Sequence, residues 1–301
     1  MKGDLWTRFG TEIRARYRTW IDNGPRRTPP GEPVIGLALG GGFARGLAHL
    51  GVLKVLEENR IPIHMIAGTS VGSIVGGAYA GGANVDTMIE CARSVKFRDF
   101  AGWTISRMGL ASNERMEKYL MRFFPATTFE KLRIPFAVTT TDLLTGEPVV
   151  FRRGDMIGPV RASCAYPGLF LPVKIAGRTL VDGAFSCPIP IEALKQMGAT
   201  HILAVYLGPG FHGAPPGNMI QIVNQCISLL QTRIGREWRQ EAHVIIEPAV
   251  TGFAWDDFDQ GPPLIAAGEA AARKALPAIR AWKNTPARLP LPSLVPTTVK
   301  P

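Results

Sequence analysis

Short runs of apolar residues recur along the chain, at Val34 to Leu39, Ile61 to Ala67, Ile134 to Thr141, His201 to Tyr206 and His243 to Ile246. Each has the length and composition of a half-buried or buried strand. Between them, other stretches carry the pattern of packed helices, predicted over about 44 to 59, Ile74 to Tyr79, Asn218 to Gln240 and Leu264 to Trp282. Pro148 to Arg152 alternates like a strand and follows the turn Leu144-Thr145-Gly146-Glu147, so a hairpin with Ile134 to Thr141 is expected. Asn84 to Phe124 reads as helical, except where Phe97 to Leu110 loses the period around Phe100, Trp103, Ile105 and Met108. Strands alternating with helices predict an α/β fold.

The two ends differ from this pattern. Leu5, Trp6, Phe9, Ile13, Tyr17, Trp20 and Ile21 recur at helical spacing with arginines between them, which predicts a basic amphipathic helix over residues 1–23. It could lie in a membrane interface against anionic lipid, or fold back onto the main domain. A Pro/Gly/Arg-rich linker follows, and residues 284–301 form a proline-rich tail. The expected organisation is therefore 1–30 helix and linker, 31–283 folded domain, and 284–301 tail.

Composition narrows the class. At 46% hydrophobic and 19% charged the chain is globular, and a net charge of +10 favours anionic partners. The basic residues are dispersed and accompany no recognised nucleic-acid motif. Cys91, Cys164, Cys187 and Cys226 lack metal or disulfide spacing, so reduced thiols in a cytoplasmic setting are expected, with neither metal nor cofactor. No run of eighteen apolar residues suggests a membrane span.

The chemistry concentrates in glycine-rich turns. Gly40-Gly41-Gly42-Phe43-Ala44-Arg45-Gly46 joins a strand to a helix, where close backbone and unpaired N–H groups suit an anion. A dinucleotide would require an acidic residue at the end of the next strand, yet that strand ends Ala67-Gly68-Thr69-Ser70. An oxyanion hole has no such requirement. Gly68-Thr69-Ser70-Val71-Gly72 fits a strand–turn–helix nucleophile elbow, although a glycine-rich packing turn has the same spelling. Asp182, before Gly183, closes an apolar run at a strand mouth, where an aspartate commonly caps a turn. None of the five histidines stands in a motif that a catalytic triad would need; His49, one turn past Arg45, could approach the site, and its ordinary reading is a helix-surface or core residue.

Four blocks in this order, the Gly40–Gly46 loop, Gly68 to Gly72, Ala162-Ser163 to Pro167-Gly168, and Asp182-Gly183-Ala184, resemble the patatin-like phospholipase family over roughly Val34 to Trp282. The resemblance implies a three-layer α/β/α fold with a central, mostly parallel sheet. It implies Ser70 as nucleophile in a dyad with Asp182, an acyl-enzyme, and an oxyanion hole from Gly41, Gly42, Phe43 and Arg45. Gly40, Gly46, Gly68, Gly72 and Gly183 are then motif glycines. Phospholipid or lysophospholipid would be the substrate, met by a cytoplasmic enzyme or one peripheral on the inner membrane face. Phe97 to Leu110 would be a cap over an acyl groove or ordinary core. Two departures stand out. Phe43 replaces a usual glycine, and Pro188 stands where many members have asparagine. The alternative is a catalytically weak lipid- or partner-binding protein of the same fold.

Overall fold

A computed structural model describes residues 32–282 apart from 104–105, 107–108, 209–214, 216, 218 and 235–236. The expected N-terminal helix, Ile105, Met108 and the proline-rich tail lie outside the described residues. In chain order the strands are β1 (Ile35–Leu39), β2 (Met65–Thr69), β3 (Gly102–Trp103), β4 (Gly109–Ser112), β5 (Phe136–Asp142), β6 (Pro148–Phe151), β7 (Gly168–Phe170), β8 (Val173–Ile175), β9 (Arg178–Asp182), β10 (His201–Val205) and β11 (Val244–Ile246). The α-helices are α1 (Ala48–Glu58), α2 (Val71–Ala80), α3 (Val85–Ala92), α4 (Glu114–Phe123), α5 (Ile157–Ser163), α6 (Ile191–Gln196), α7 (Met219–Ile234), α8 (Glu237–Glu241) and α9 (Gly261–Ala281).

One sheet organises the chain. Its order is β11-β10-β1-β2-β5-β9-β8, with β6 also on β5. The four pairings from β11 to β5 are parallel, and those of β5 with β6, β5 with β9 and β8 with β9 are antiparallel. The central strands β1, β2, β5 and β10 are buried along their whole length because both faces are covered. Leu37, Leu39, Ile66, Phe136 and Val138 point into a large core with α1, α2, α3, α5 and α9, whereas Ala38, Ala67, Ala137 and Ala204 point into a smaller one with α6 and Trp238 of α8. This is the expected three-layer α/β/α arrangement, mostly parallel at its centre.

Several elements differ locally from expectation. The helix expected from 44 begins as a 3-10 turn, Phe43–Leu47, and becomes α-helical only at Ala48. The second strand begins at Met65 and runs on to Thr69. The helix expected over 218 to 240 is two, α7 and α8. Asn84 to Phe124 holds α3 and α4 separated by a 3-10 turn, Phe97–Asp99, and the short strands β3 and β4. Phe97 and Phe100 pack against the core as half-buried side chains, and the β5–β6 hairpin forms as predicted.

Candidate active site

Ser70 sits between β2 and α2 with φ 55° and ψ −128°, a backbone conformation that L-residues rarely adopt and that costs on the order of 1–3 kcal/mol. The two glycines make the turn sterically feasible. A Cβ on Gly68 would lie 2.5 Å from the Gly72 carbonyl oxygen, and one on Gly72 would lie 2.2 Å from that of Leu39. Ser70 occupies the N-cap of α2, yet its hydroxyl does not cap the helix. The Ser73 N–H, which an N-cap hydroxyl would ordinarily accept, donates to the Ser70 carbonyl at 2.8 Å, and Ser73 Oγ donates to the same oxygen at 2.6 Å. The Ser70 hydroxyl is thereby left for another partner, and its own N–H donates to Ser163 Oγ at 2.8 Å.

That partner arrives through the sheet. β2 pairs with β5 up to Thr69 opposite Thr139, and β9, running the other way, pairs with β5 from Thr140 opposite Asp182. Since β6 occupies the opposite edge over Val138 to Thr141, β2 and β9 meet head to head along one edge of β5. Ser70 and Asp182 follow and end these two strands, so the pairing register alone places them together. The Ser70 hydroxyl donates to Asp182 Oδ2 at 2.7 Å. Asp182 Oδ1 accepts the Ala184 N–H at 2.9 Å, so the turn cap expected of a strand-end aspartate and the serine contact both exist, one on each oxygen. The backbone is pinned too, by Asp182 N–H to Ala165 O at 3.0 Å and Thr141 Oγ1 to Asp182 O at 2.9 Å. Asp182 is buried, and desolvation pushes its carboxyl up from 3.8 to about 7 against the opposing effect of the Ala184 and Ser70 hydrogen bonds.

The glycine loop lies beside the serine. A Cβ on Gly41 would be 3.2 Å from the Ser70 Cβ and 3.8 Å from its Oγ. Gly40 N–H donates to Val205 O, and Ala44 N–H to Trp255 O, which tie the loop at both ends. Among the described residues the N–H groups of Gly41, Gly42 and Phe43 donate to nothing. Phe43 takes the left-handed φ of 51°, a region that favours glycine. Its ring packs edge-on against Tyr166 at 5.4 Å and Trp255 at 5.2 Å, and Tyr166 in turn meets Phe185, three residues beyond Asp182. Arg45 is buried, its backbone N–H taken by Gly42 O and its guanidinium reaching Gly208 O at a long 3.5 Å, and burial lowers its affinity for the proton. Gly46 lies against Val71, and Gly183 against the Thr139 carbonyl, which seats both motifs on the elbow.

Some of the site is invisible in the motifs. Ser163 links the elbow to β5 by donating to Thr139 O at 2.6 Å, and only its place in the Ala162–Gly168 block hinted at a role. His49 is fully buried in α1 with Nε2 2.9 Å from the Gly40 carbonyl. Desolvation lowers its pKa to about 4, so the ring is neutral and Nε2–H is the donor. Its Nδ1 has no partner among the described residues. Pro188 borders the site from the other side, its carbonyl close to Gly40. Among the described residues no group of three His, Cys, Asp or Glu is arranged to hold a metal ion.

Comparison with known proteins bears on the family and the fold. The family model described as patatin-like phospholipase matches residues 37–195, more than half of the chain, from β1 through α6. The chain belongs to the patatin-like phospholipase family. An uncharacterized NTE family protein of Mycobacterium tuberculosis is 36% identical over 178 residues, which is 58% of this chain and 49% of the relative. Lysophospholipase NTE1 of Mycosarcoma maydis is 35% identical over 180 residues, 58% of this chain and 10% of that protein. The patatin-like chain thus spans about half the length of the mycobacterial relative, and far less of the fungal one. The fold is shared with VipD from Legionella pneumophila, at a TM-score of 0.50 and 13% identity, covering 84% of this chain and 67% of that one.

Proposed function

We propose that this patatin-like protein is a lipid acyl hydrolase of phospholipase A or lysophospholipase type, working through a Ser70–Asp182 dyad. The observation that carries the reading is the 2.7 Å contact between the Ser70 hydroxyl and Asp182 Oδ2 on a strained elbow. As Ser70 Oγ attacks the ester carbonyl, its proton passes to Asp182 Oδ2 and the carbonyl electron pair moves onto oxygen. The N–H groups of Gly41, Gly42 and Phe43 receive that oxyanion, with the buried charge of Arg45 behind the loop. Collapse breaks the ester C–O bond, protonated Asp182 returns the proton to the leaving alkoxide, and the acyl group remains on Ser70. Water, deprotonated by Asp182, then attacks the acyl-enzyme and releases the fatty acid. A carboxyl with a pKa near 7 suits both proton transfers.

A lipid substrate fits the surroundings. The half-buried aromatic cluster of Phe43, Tyr166, Phe185 and Trp255 supplies an apolar wall reaching the dyad. Helix α7 is tied to the same corner by Gln231 Nε2, which donates to Ala184 O at 3.3 Å. Met219, Ile222, Val223, Cys226, Leu229 and Leu230 fall on one stripe of α7 and all are exposed, Met219 by 76% and Leu230 by 57%. An exposed apolar stripe beside the candidate site is a surface on which a bilayer can rest. The experiment is fluorophosphonate labelling together with mass spectrometry of fatty acid released from lysophosphatidylcholine. Wild type should label and release acid, while Ser70→Ala should do neither. Labelling retained in Ser70→Ala would refute the assignment, and an unlabelled, inactive wild type would favour a lipid-binding protein.

A further inference from the structure

A cavity of about 320 Å³ opens between the 3-10 turn Phe97–Asp99 and α4, and Ser70 and Asp182 are not among its lining residues. The sequence of α4 dictates its walls. Met116, Leu120 and Phe123 are buried at helical spacing and fix the helix on the core, which turns Arg115, Lys118 and Arg122 outward on another face at i, i+3 and i+7. All three line the cavity, and Arg98 enters from the 3-10 turn. The two walls are tied by Arg115 Nη1, which lies 3.4 Å from both the Arg98 and Ala101 carbonyls.

Acidic compensation is small. Asp99 is the one carboxylate in the lining, and its Oδ2 already accepts the Lys96 N–H at 2.9 Å. Glu117 of α4 pairs with Arg161 on the side of α5. Among the described residues none of the four cations is in an ion pair. Like charges one turn apart on a helix destabilise it, and here a fourth converges from another element. An anion in the cavity would reverse the sign of that interaction. Arginine forks with a lysine between them match the several oxygens of a phosphate.

We propose that this cavity is a binding site for a phosphate group carrying two or more negative charges, separate from the candidate ester-hydrolysing site. Two sources offer that chemistry, a lipid head group in a bilayer and a soluble phosphate compound. The bilayer fits better, because Met121, beside Lys118 on α4, is 59% exposed and could enter the lipid as the head group enters the cavity.

The test uses the full chain carrying Ser70→Ala, so that no lipid is consumed. Its binding to phosphatidylcholine vesicles with and without phosphatidic acid is measured by sedimentation, and its binding to pyrophosphate by calorimetry. Lys118→Ala/Arg122→Ala should weaken binding to phosphatidic acid vesicles roughly tenfold or more. Lys274→Ala/Arg280→Ala, which removes the same charge from α9, should leave it within about twofold. Weakened pyrophosphate binding with unchanged vesicle binding would keep the site and assign it to a soluble ligand. Equal weakening by both double variants, no weakening in either arm, or no binding by the parent would overturn the proposal.

Discussion

Asp182 meets opposing demands at the scale of single residues. As a cap it would be best ionised and wet, yet it is 1% exposed, and burial moves its carboxyl to about 7. In the folded protein this group binds its proton more tightly than in the unfolded chain, where 3.8 is ordinary. The stabilisation this gives is therefore fully present below about pH 4 and lost as pH rises through about 7. Asp182→Asn should accordingly abolish hydrolysis while leaving Tm at pH 8 equal or higher, which thermal melts of the two proteins would check. In wild type, kcat/KM should fall about tenfold per pH unit below 7. His49 supplies the contrast. Being neutral at that pH and bonded to Gly40 O, it can position the loop but cannot set this limb, so His49→Gln should lower the rate and keep the limb. A limb that vanished in His49→Gln would reassign the base. The candidate pair could be picked out in the sequence because glycine-rich turns mark both positions, although only the four ordered blocks together set it apart from ordinary packing and capping turns. Ser163 and His49 could not, because their hydrogen bonds reach carbonyls 24 and 9 residues away that no spacing rule connects to them.

At the scale of elements, the candidate site depends on register and on close packing. β2 and β9 share one edge of β5, so a slip of either strand by one residue would turn Ser70 or Asp182 to the wrong face. Behind the sheet α1 and α9 cross at glycines. A Cβ on Gly268 would lie 2.0 Å from the Ala48 carbonyl oxygen, and one on Gly51 equally close to that of Ile265. Alanine normally favours a helix over glycine by about 1 kcal/mol. Gly268→Ala should nevertheless destabilise the protein by roughly 1–3 kcal/mol, because the contact is with backbone and the helices must separate. A lowered Tm by calorimetry is the expected result, and an unchanged or raised one would show that the crossing is slack. The long buried strands were legible because apolar runs flanked by glycine and proline have few other readings. β3, β4, β7 and β8, two to four residues each, were not, because pairings such as β4 with β7 are made by residues about sixty positions apart and leave no local pattern.

For the whole molecule the question is how a site this buried meets a lipid. Ser70 is 6% exposed and Asp182 less, so on the proposed reaction an acyl chain would have to enter a largely closed site. Among the described residues no helix is long and apolar enough to cross a membrane. The α7 stripe offers a route, since it presents Ile222, Val223, Leu229 and Leu230 to solvent on a helix hydrogen-bonded to Ala184, two residues past the acid. Burying each such side chain in lipid is worth roughly 1.5–3 kcal/mol, so two charges placed there should cost about an order of magnitude or more in association. Leu229→Asp/Leu230→Asp should therefore slow hydrolysis of vesicle phospholipid at least about tenfold, while a short-chain ester below its micelle concentration is turned over within about twofold of wild type. Cys226 lies within the stripe and is the exposed one of the four cysteines, so a polarity-sensitive thiol dye placed there should shift to the blue when vesicles are added. Equal losses on both substrates would instead make α7 a wall of the catalytic pocket, and an unshifted dye with unchanged rates would place the bilayer on another face.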